Sequence, residues 1–359
     1  MLETKTPVQF TGKAGEYFGI WIVNLLLSII TLGIYSAWAK VRRLKYFYNN
    51  TLIDGVGFDY HAKPIAILKG RIIAFLLFVT YTVLSKFSPL MGGLLLVWLF
   101  LLTPWLIVRS MIFNARNTSH RGLRFDFSGK TGKAAVVFLA YPLLVLVTLG
   151  LALPFVSQRS NKFLLENHQF GLSHFQSKAL VKDFYMIYLK LLAIIFCAIM
   201  FFIVLGVVFS NAALGDWVTN TLSPKNLMQS IFKYGIWFFV VVAGIALFYA
   251  GMILSISAYI KSRTTNLIWN HTHIEHVSFV SSQRMRDLVF LNLTNMLAII
   301  FTFGLAAPWV HIRMARYKAE HLALTGETDW DKFVGEKKES ARAFGGEMVD
   351  MFDMDISFG

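Results

Sequence analysis

Acidic charge is in short supply in this chain: 20 Asp and Glu stand against 34 Lys and Arg in 359 residues. No carboxylate falls in the middle of an apolar run, which argues against a carboxylate-based proton relay of the usual pump type. Cysteine is nearly absent. The one copy, Cys197, can form no intramolecular disulfide and reads as a small buried hydrophobe within an apolar stretch. No GxSxG, Walker, HExxH or kinase signature occurs, so no enzymatic activity, cofactor or metal is expected. The amino end, MLETKTPVQFTGKAGEYFGIW, has neither the basic start nor the small-residue cleavage site of a secretory leader.

Apolar residues are plentiful. They make up 56% of the chain, charged residues only 15%, and the mean hydropathy is +0.58. A soluble domain is nearer a quarter charged. Several runs of about twenty residues could cross a bilayer of ~30 Å, so the chain reads as an α-helical polytopic membrane protein. The net charge of +14 then does not imply nucleic acid. Cytoplasmic loops collect Lys and Arg as the topology signal, and anionic lipid attracts them. Membrane lipids, anionic ones included, are the expected partners. A cytoplasmic protein partner is allowed, and oligomeric state is left open.

One unit recurs five times. The aromatic anchors Trp38, Trp105, Phe155, Tyr259 and Trp309 are each followed four residues later by an arginine: Arg42, Arg109, Arg159, Arg263 and Arg313. Twelve residues after each anchor stands Asn50, Asn117, Asn167, His271 or His321. Phe58, Phe125, Phe175 and Phe279 follow at twenty, with Trp330 one place later in the fifth copy. An aromatic and a cation one helical turn apart suit a membrane exit. Asp54-Gly55 then signals a hairpin turn. The units cover about 38–60, 105–127, 155–177, 259–281 and 309–330, within a membrane domain 1–335 that precedes an acidic amphipathic tail, 336–359. Five short cytoplasmic β-hairpins are expected. Side by side they could pair into a sheet or ring, because short strands alone are marginal.

Seven apolar segments stand out: 18–38, 71–85, 90–108, 134–155, 186–209, 234–258 and 288–309. If all seven cross, several basic loops face outwards, against the positive-inside tendency. Segments one, four and seven share Thr-x-Gly (Thr31, Thr148, Thr302; Gly33, Gly150, Gly304) and a mid-segment polar group (Asn24, Tyr141, Asn295). That pattern suggests broken, re-entrant helices, although 21 residues also suffice for a plain crossing.

LGIYSAWAKVRRLKYFYNNT (32–51), with GEYFGIWIVNLLL before it, ILKGR (67–71) after it and the acidic ending MVDMFDMDISFG, resembles the YjgN-like family of bacterial inner-membrane proteins. The resemblance runs over roughly 8–335. It implies an inner-membrane location and no activity, and it carries over no catalytic or binding residues.

Candidate residues therefore rest on chemistry alone. The collar arginines could bind a lipid headgroup or another anion. FTGKAG (10–15) and FSGKTG (127–132) add Lys13 and Lys130 at turns that could present free amides to a phosphate, though a simple glycine turn is the plainer reading. Asn24, Thr31, Thr148, Asn295 and Thr302 could line a polar path or simply repair broken helices. NHTHIEH (270–276) places His271 and His273 at metal-chelating spacing, yet His271 holds a slot that is Asn in three other units, which favours a turn role. Two functions fit: handling or transport of a lipid, amphiphile or anionic solute at the cytoplasmic leaflet, or a non-transporting scaffold that recruits a cytoplasmic partner.

Overall fold

Asp54 and Gly55 both adopt positive φ (50° and 72°), as do Arg121 and Gly122 (49° and 77°). These are two-residue turns whose twist matches that of the strands they join. They belong to a computed structural model that describes residues 5–210, 236–326 and 334–336. Trp330 and the acidic tail from 337 onwards lie outside the described residues.

The chain divides into two units. One comprises 1–181, 265–283 and 297–359; the other 182–264 and 284–296. In the first unit, β1 (Lys5–Phe10) precedes α1 (Ala14–Ile30), α2 (Ser36–Asn49), β2 (Thr51–Ile53) and β3 (Val56–Tyr60). A helical pair follows, α3 (Pro64–Phe87) and α4 (Pro89–Arg116), then β4 (Thr118–His120) and β5 (Leu123–Phe127). Next come α5 (Thr131–Ala135), a π-helical turn (Val136–Ala140), α6 (Tyr141–Val147), α7 (Leu153–Glu166), β6 (His168–Phe170), β7 (Ser173–His174) and β8 (Gln176–Ser177). The second unit holds nearly all of α8 (Val181–Ser210), most of α9 (Ile236–Asn270) and the start of α10 (Met285–Phe301). The chain returns to the first unit through β9 (Thr272–Ile274), β10 (Val277–Ser281), α11 (Ala307–Glu320) and β11 (Leu322–Thr325).

Five short hairpins are the wrong description of the strands. The strands form one antiparallel sheet of eleven, in the order β7-β6-β5-β4-β3-β2-β1-β11-β10-β9-β8. Its two ends, β7 and β8, are separated in sequence by Phe175 alone, so the sheet is nearly a closed ring. The register explains why pairing spreads. Val56 and Gly57 of β3 pair with β2, whereas Phe58, Asp59 and Tyr60 pair with β4. β5 divides itself between β4 and β6 in the same way. A three-residue strand bonded on one side only would be marginal; a partner on each side leaves few ladder groups unpaired. Ser173 of β7 also donates to the Glu275 carboxylate in the β9–β10 turn, at 2.5 Å, which ties the two ends together.

One face of the ring is apolar. Phe58, Phe125, Phe175 and Phe279 alternate with the polar positions of their strands. Ring centroids are 6.2 Å apart for Phe58–Phe125, 4.8 Å for Phe125–Phe170 and 6.1 Å for Phe175–Phe279. Val8, Ile274 and Leu324 complete this core.

His120 is the exception. It faces Phe58 across the strands, where the other junctions place Ile53, Phe170 or Leu324. It is 5% exposed. Nδ1 lies 3.3 Å from the Gly57 carbonyl, and Nε2 has no hydrogen-bond partner among the described residues. Burial, more than the charge of Arg121, pushes its pKa down to about 4. The unfolded chain therefore takes up a proton near pH 6.5 that the fold refuses until about pH 4. Stability conferred by neutral His120 is complete above pH 6.5 and falls as pH drops towards 4, by at most about 3 kcal/mol. Thermal unfolding of His120→Leu should lose that part of the acid sensitivity, giving a flatter curve between pH 7 and 4 than the parent.

The seven-segment count also needs correction. Among the described residues, four helices are long and apolar enough to cross a membrane: Pro64–Phe87, Pro89–Arg116, Val181–Phe201 and Val242–Asn270. Segments 18–38, 134–155 and 288–309 are each interrupted. α1 and α10 have 17 residues each, about 25 Å at the helical rise and short of the ~30 Å apolar core.

Candidate functional site

The three interruptions share one construction. Thr31 Oγ1 donates to the Leu27 carbonyl (2.7 Å) and accepts from the Tyr35 amide (2.9 Å). Thr148 does the same with Leu144 and Ala152, at 2.8 and 3.1 Å. Thr302 bonds Ala298 and Ala306 at 2.6 and 2.9 Å. One hydroxyl thus serves the outgoing helix and caps the incoming one. Gly33, Gly150 and Gly304, with φ of 91°, 91° and 89°, each donate to a carbonyl five residues back, the bond of a Schellman ending. Before each glycine stands an apolar residue at positive φ: Leu32, Leu149 or Phe303, exposed by 94%, 94% and 98%.

Four collar arginines fold back over their anchor rings. Arg109 lies 5.6 Å from the Trp105 centroid, Arg159 5.3 Å from Phe155, Arg263 5.9 Å from Tyr259 and Arg313 5.0 Å from Trp309. The spacing of four therefore sets up cation–π contacts. Arg42 departs from this: Nη1 donates to Asn24 Oδ1 at 3.4 Å and to the Tyr35 hydroxyl at 3.2 Å. Asn24 is buried in α1. Asn295 is buried in the second unit. The residues twelve after the anchors bond back to the helix end: Asn50, Asn117 and Asn167 Nδ2 donate to Tyr46, Phe113 and Phe163 carbonyls, and the rings of His271 and His321 approach Leu267 and Tyr317.

A denser cationic group centres on Arg43, the next residue of α2. Arg43 acts electrostatically on Lys40, Arg71 and His311. Burial first, then Arg71 and Arg43, holds the Lys40 ammonium below the ordinary lysine range. Burial and then Arg43 hold His311 below the usual histidine value. Arg71 donates to Ser36 Oγ at the start of α2. Among the described residues, no Asp or Glu stands within ion-pair distance of Lys40, Arg42, Arg43 or Arg71. Lys40 and Arg71 are half-buried and Arg43 is exposed; like charges this close repel one another, and an anion would relieve them. From sequence, Arg43 and Lys40 look like parts of a generic collar. Arg71 enters from the next helix, 28 residues on, with no motif to join it to them.

The glycine-lysine turns look different. Lys13 Nζ is 3.5 Å from Glu16 Oε1, and its amide donates to the Tyr46 hydroxyl at 2.8 Å. Lys130 caps α5 in an extended conformation. A Cβ at Gly12 or Gly129 would strike the ring of Phe10 or Phe127, so backbone there lies flat on an aromatic. In the histidine run, His273 Nε2 lies 3.1 Å from Gln176 Oε1. Among the described residues, no group of three or more His, Cys, Asp or Glu is arranged to hold a metal.

The comparisons bear on the whole chain. The family model "Bacterial protein of unknown function (DUF898)" matches residues 5–351. "Inner membrane protein YjgN" of Salmonella typhimurium is 24% identical over 365 residues, covering 92% of this chain and 91% of that protein. The protein of the same name from Escherichia coli K12 is 32% identical over 147 residues, 39% of this chain and 36% of that protein. No solved structure matches significantly. Long apolar helices, interrupted apolar segments and relatives named for the inner membrane agree: this is an integral inner-membrane protein, and the chain belongs to the DUF898 family.

Proposed function

We propose that this protein binds an anionic amphiphile, with a phospholipid headgroup as the defining ligand, at the cytoplasmic leaflet. The observation that carries this reading is the cation group Lys40, Arg43 and Arg71, which no Asp or Glu among the described residues answers, with His311 beside Arg43. A phosphate satisfies two guanidinium groups at once, and the adjoining turn gives the acyl chains an apolar neighbour in Leu32. The recurrent anchor–arginine–hairpin pattern is read as one unit repeated five times, with its strands on the cytoplasmic side. A second reading, a scaffold for a cytoplasmic protein, is favoured by the nearly closed sheet, which offers a stiff platform.

The test uses purified protein in nanodiscs of mixed phosphatidylglycerol and phosphatidylcholine. Phosphatidylglycerol should be retained through delipidation in stoichiometric amount. Equal retention of both lipids would defeat the reading. Movement of a labelled lipid in reconstituted vesicles above the protein-free rate would establish handling; retention without movement would favour the scaffold.

In this reading the three apices rest in the apolar layer. With Cys197 replaced by serine, a fluorophore on Leu32→Cys should be quenched strongly by spin-labelled acyl chains and weakly by aqueous iodide. The reverse order would place the apex in water. Aspartate tolerates positive φ, so Asp at Leu32, Leu149 and Phe303 should leave the detergent fold intact. In a bilayer each change should cost up to about 3 kcal/mol, less if the apex is shallow.

A further inference from the structure

Two strands 58 residues apart bring together three side chains that no sequence motif connects. Asp59 lies directly across the strand pair from Ser119, and Ser119 lies directly across from Arg124. His61 follows Asp59 by two residues, which is the spacing that returns to the same side of an extended chain. His61 Nε2 is 2.7 Å from Ser119 Oγ, and His61 Nδ1 is 3.7 Å from Asp59 Oδ2. The other Asp59 oxygen, Oδ1, accepts the Tyr60 amide at 2.7 Å, which limits rotation of the carboxylate. All four side chains line one cleft of about 450 Å³, with Gly57, Gly122 and Arg121 among its other walls. Ser119 is 5% exposed. Arg121 bonds the Asp54 carboxylate at 2.8 Å, which leaves Arg124 as the cation directly opposite the serine.

We propose that Ser119, His61 and Asp59 form a nucleophilic site that hydrolyses a carboxylic ester. The chemistry needs a hydroxyl, a base within hydrogen-bond reach and a group that orients the base. Nδ1 carries its proton towards Asp59, so Nε2 is free to accept the Ser119 proton. Ser119 Oγ adds to the ester carbonyl, and the oxyanion is stabilised by the Arg124 guanidinium. Collapse breaks the bond to the alkoxy group, which leaves as the alcohol with the proton held on Nε2. Water, activated by the same nitrogen, then adds to the acyl-serine. The acid is released and Ser119 regains its proton. The His61–Asp59 gap is longer than a hydrogen bond; catalytic contacts commonly tighten when substrate is bound.

The equivalent positions elsewhere in the sheet do not repeat the set. The junction of β8 and β9 pairs Gln176 with His273, and that of β10 and β11 pairs Val280 with Ala323. The site is therefore peculiar to the first two hairpins and is independent of the cation group on α2 and α3.

The full chain, purified in detergent, is incubated with a fluorophosphonate that transfers its phosphonyl group to activated serines with loss of fluoride. Peptide mass mapping should find stoichiometric modification at Ser119. His61→Gln should slow labelling by about a hundredfold or more, and Asp59→Asn should slow it by a smaller factor. Ser157→Ala, on α7, should label as the parent does. Arg124→Gln should lower kcat for p-nitrophenyl acetate more than it raises KM. A folded parent that remains unlabelled at Ser119, or His61→Gln labelling at the parental rate, would reduce the trio to a cross-strand hydrogen bond and overturn the proposal. Either result leaves the lipid-binding reading untouched.

Discussion

Gly326→Val should cost about 3–5 kcal/mol, combining left-handed backbone strain with overpacking. Gly326 follows β11 with φ +112°, and a Cβ there would overlap the carbonyl oxygen of His276. The obstacle is backbone, held by the β9–β10 turn, so no side chain can swing aside. Valine also cannot adopt this φ without strain. Relief would require β11 to shift away from β10, with which it shares four register pairs, and β11 also carries β1. The thermal midpoint in detergent should fall by roughly 4–9 °C. Gly15→Ala is the control. Gly15 lies in α1 with nothing within 4 Å of its added Cβ, and alanine favours the helix. A Gly326→Val midpoint within two degrees or so of the parent would mean that the ring does not close as described.

Reversing two charges of the cation group should have the largest effect on ligand binding. Each Lys or Arg near an anionic surface contributes about 1 kcal/mol, so Arg43→Glu with Arg71→Glu changes the balance by about four such steps at most. Retention of phosphatidylglycerol should drop by a hundredfold or more at low salt. The loss should be smaller in high salt, where exposed charges are screened. Arg286→Glu supplies the comparison, because Arg286 is 87% exposed beside Asp287 on α10. If the two variants lose lipid equally, the effect is one of overall charge and the cluster has no special role. A subtler outcome is instructive too. Arg71 also bonds Ser36, so Arg71→Gln should loosen α3 from the α1–α2 turn more than Arg43→Gln does.

Several local features were legible from residue spacing because their causes are local. The aromatic and the arginine four residues on meet because they share a helix face, as at Trp309 and Arg313. Asn50 and His271 serve turns because a side chain there reaches the carbonyl four residues back. Thr31 and Gly33 mark a helix ending because hydroxyl capping and positive φ act within one or two turns. The number of crossings was harder to read. Apolar segments such as 18–38 match a crossing in composition, and only the position of the break leaves α1 too short. The functional residues were harder still. Arg71 meets Arg43 only after the chain has passed through the first hairpin, and Ser119 reaches His61 only across a strand pair.

Composition and spacing alone determined a membrane protein with arginine collars, glycine-broken helices and hairpin turns, since each depends on contacts within about a turn or two of chain. Tertiary structure alone decided the order in which the strands pair in one nearly closed eleven-stranded sheet, that among the described residues four helices are long enough to cross, and that a serine, a histidine and an aspartate share a cleft. Strand partners are chosen by backbone groups that every residue carries, so pairing between distant hairpins leaves no residue-specific mark on either one.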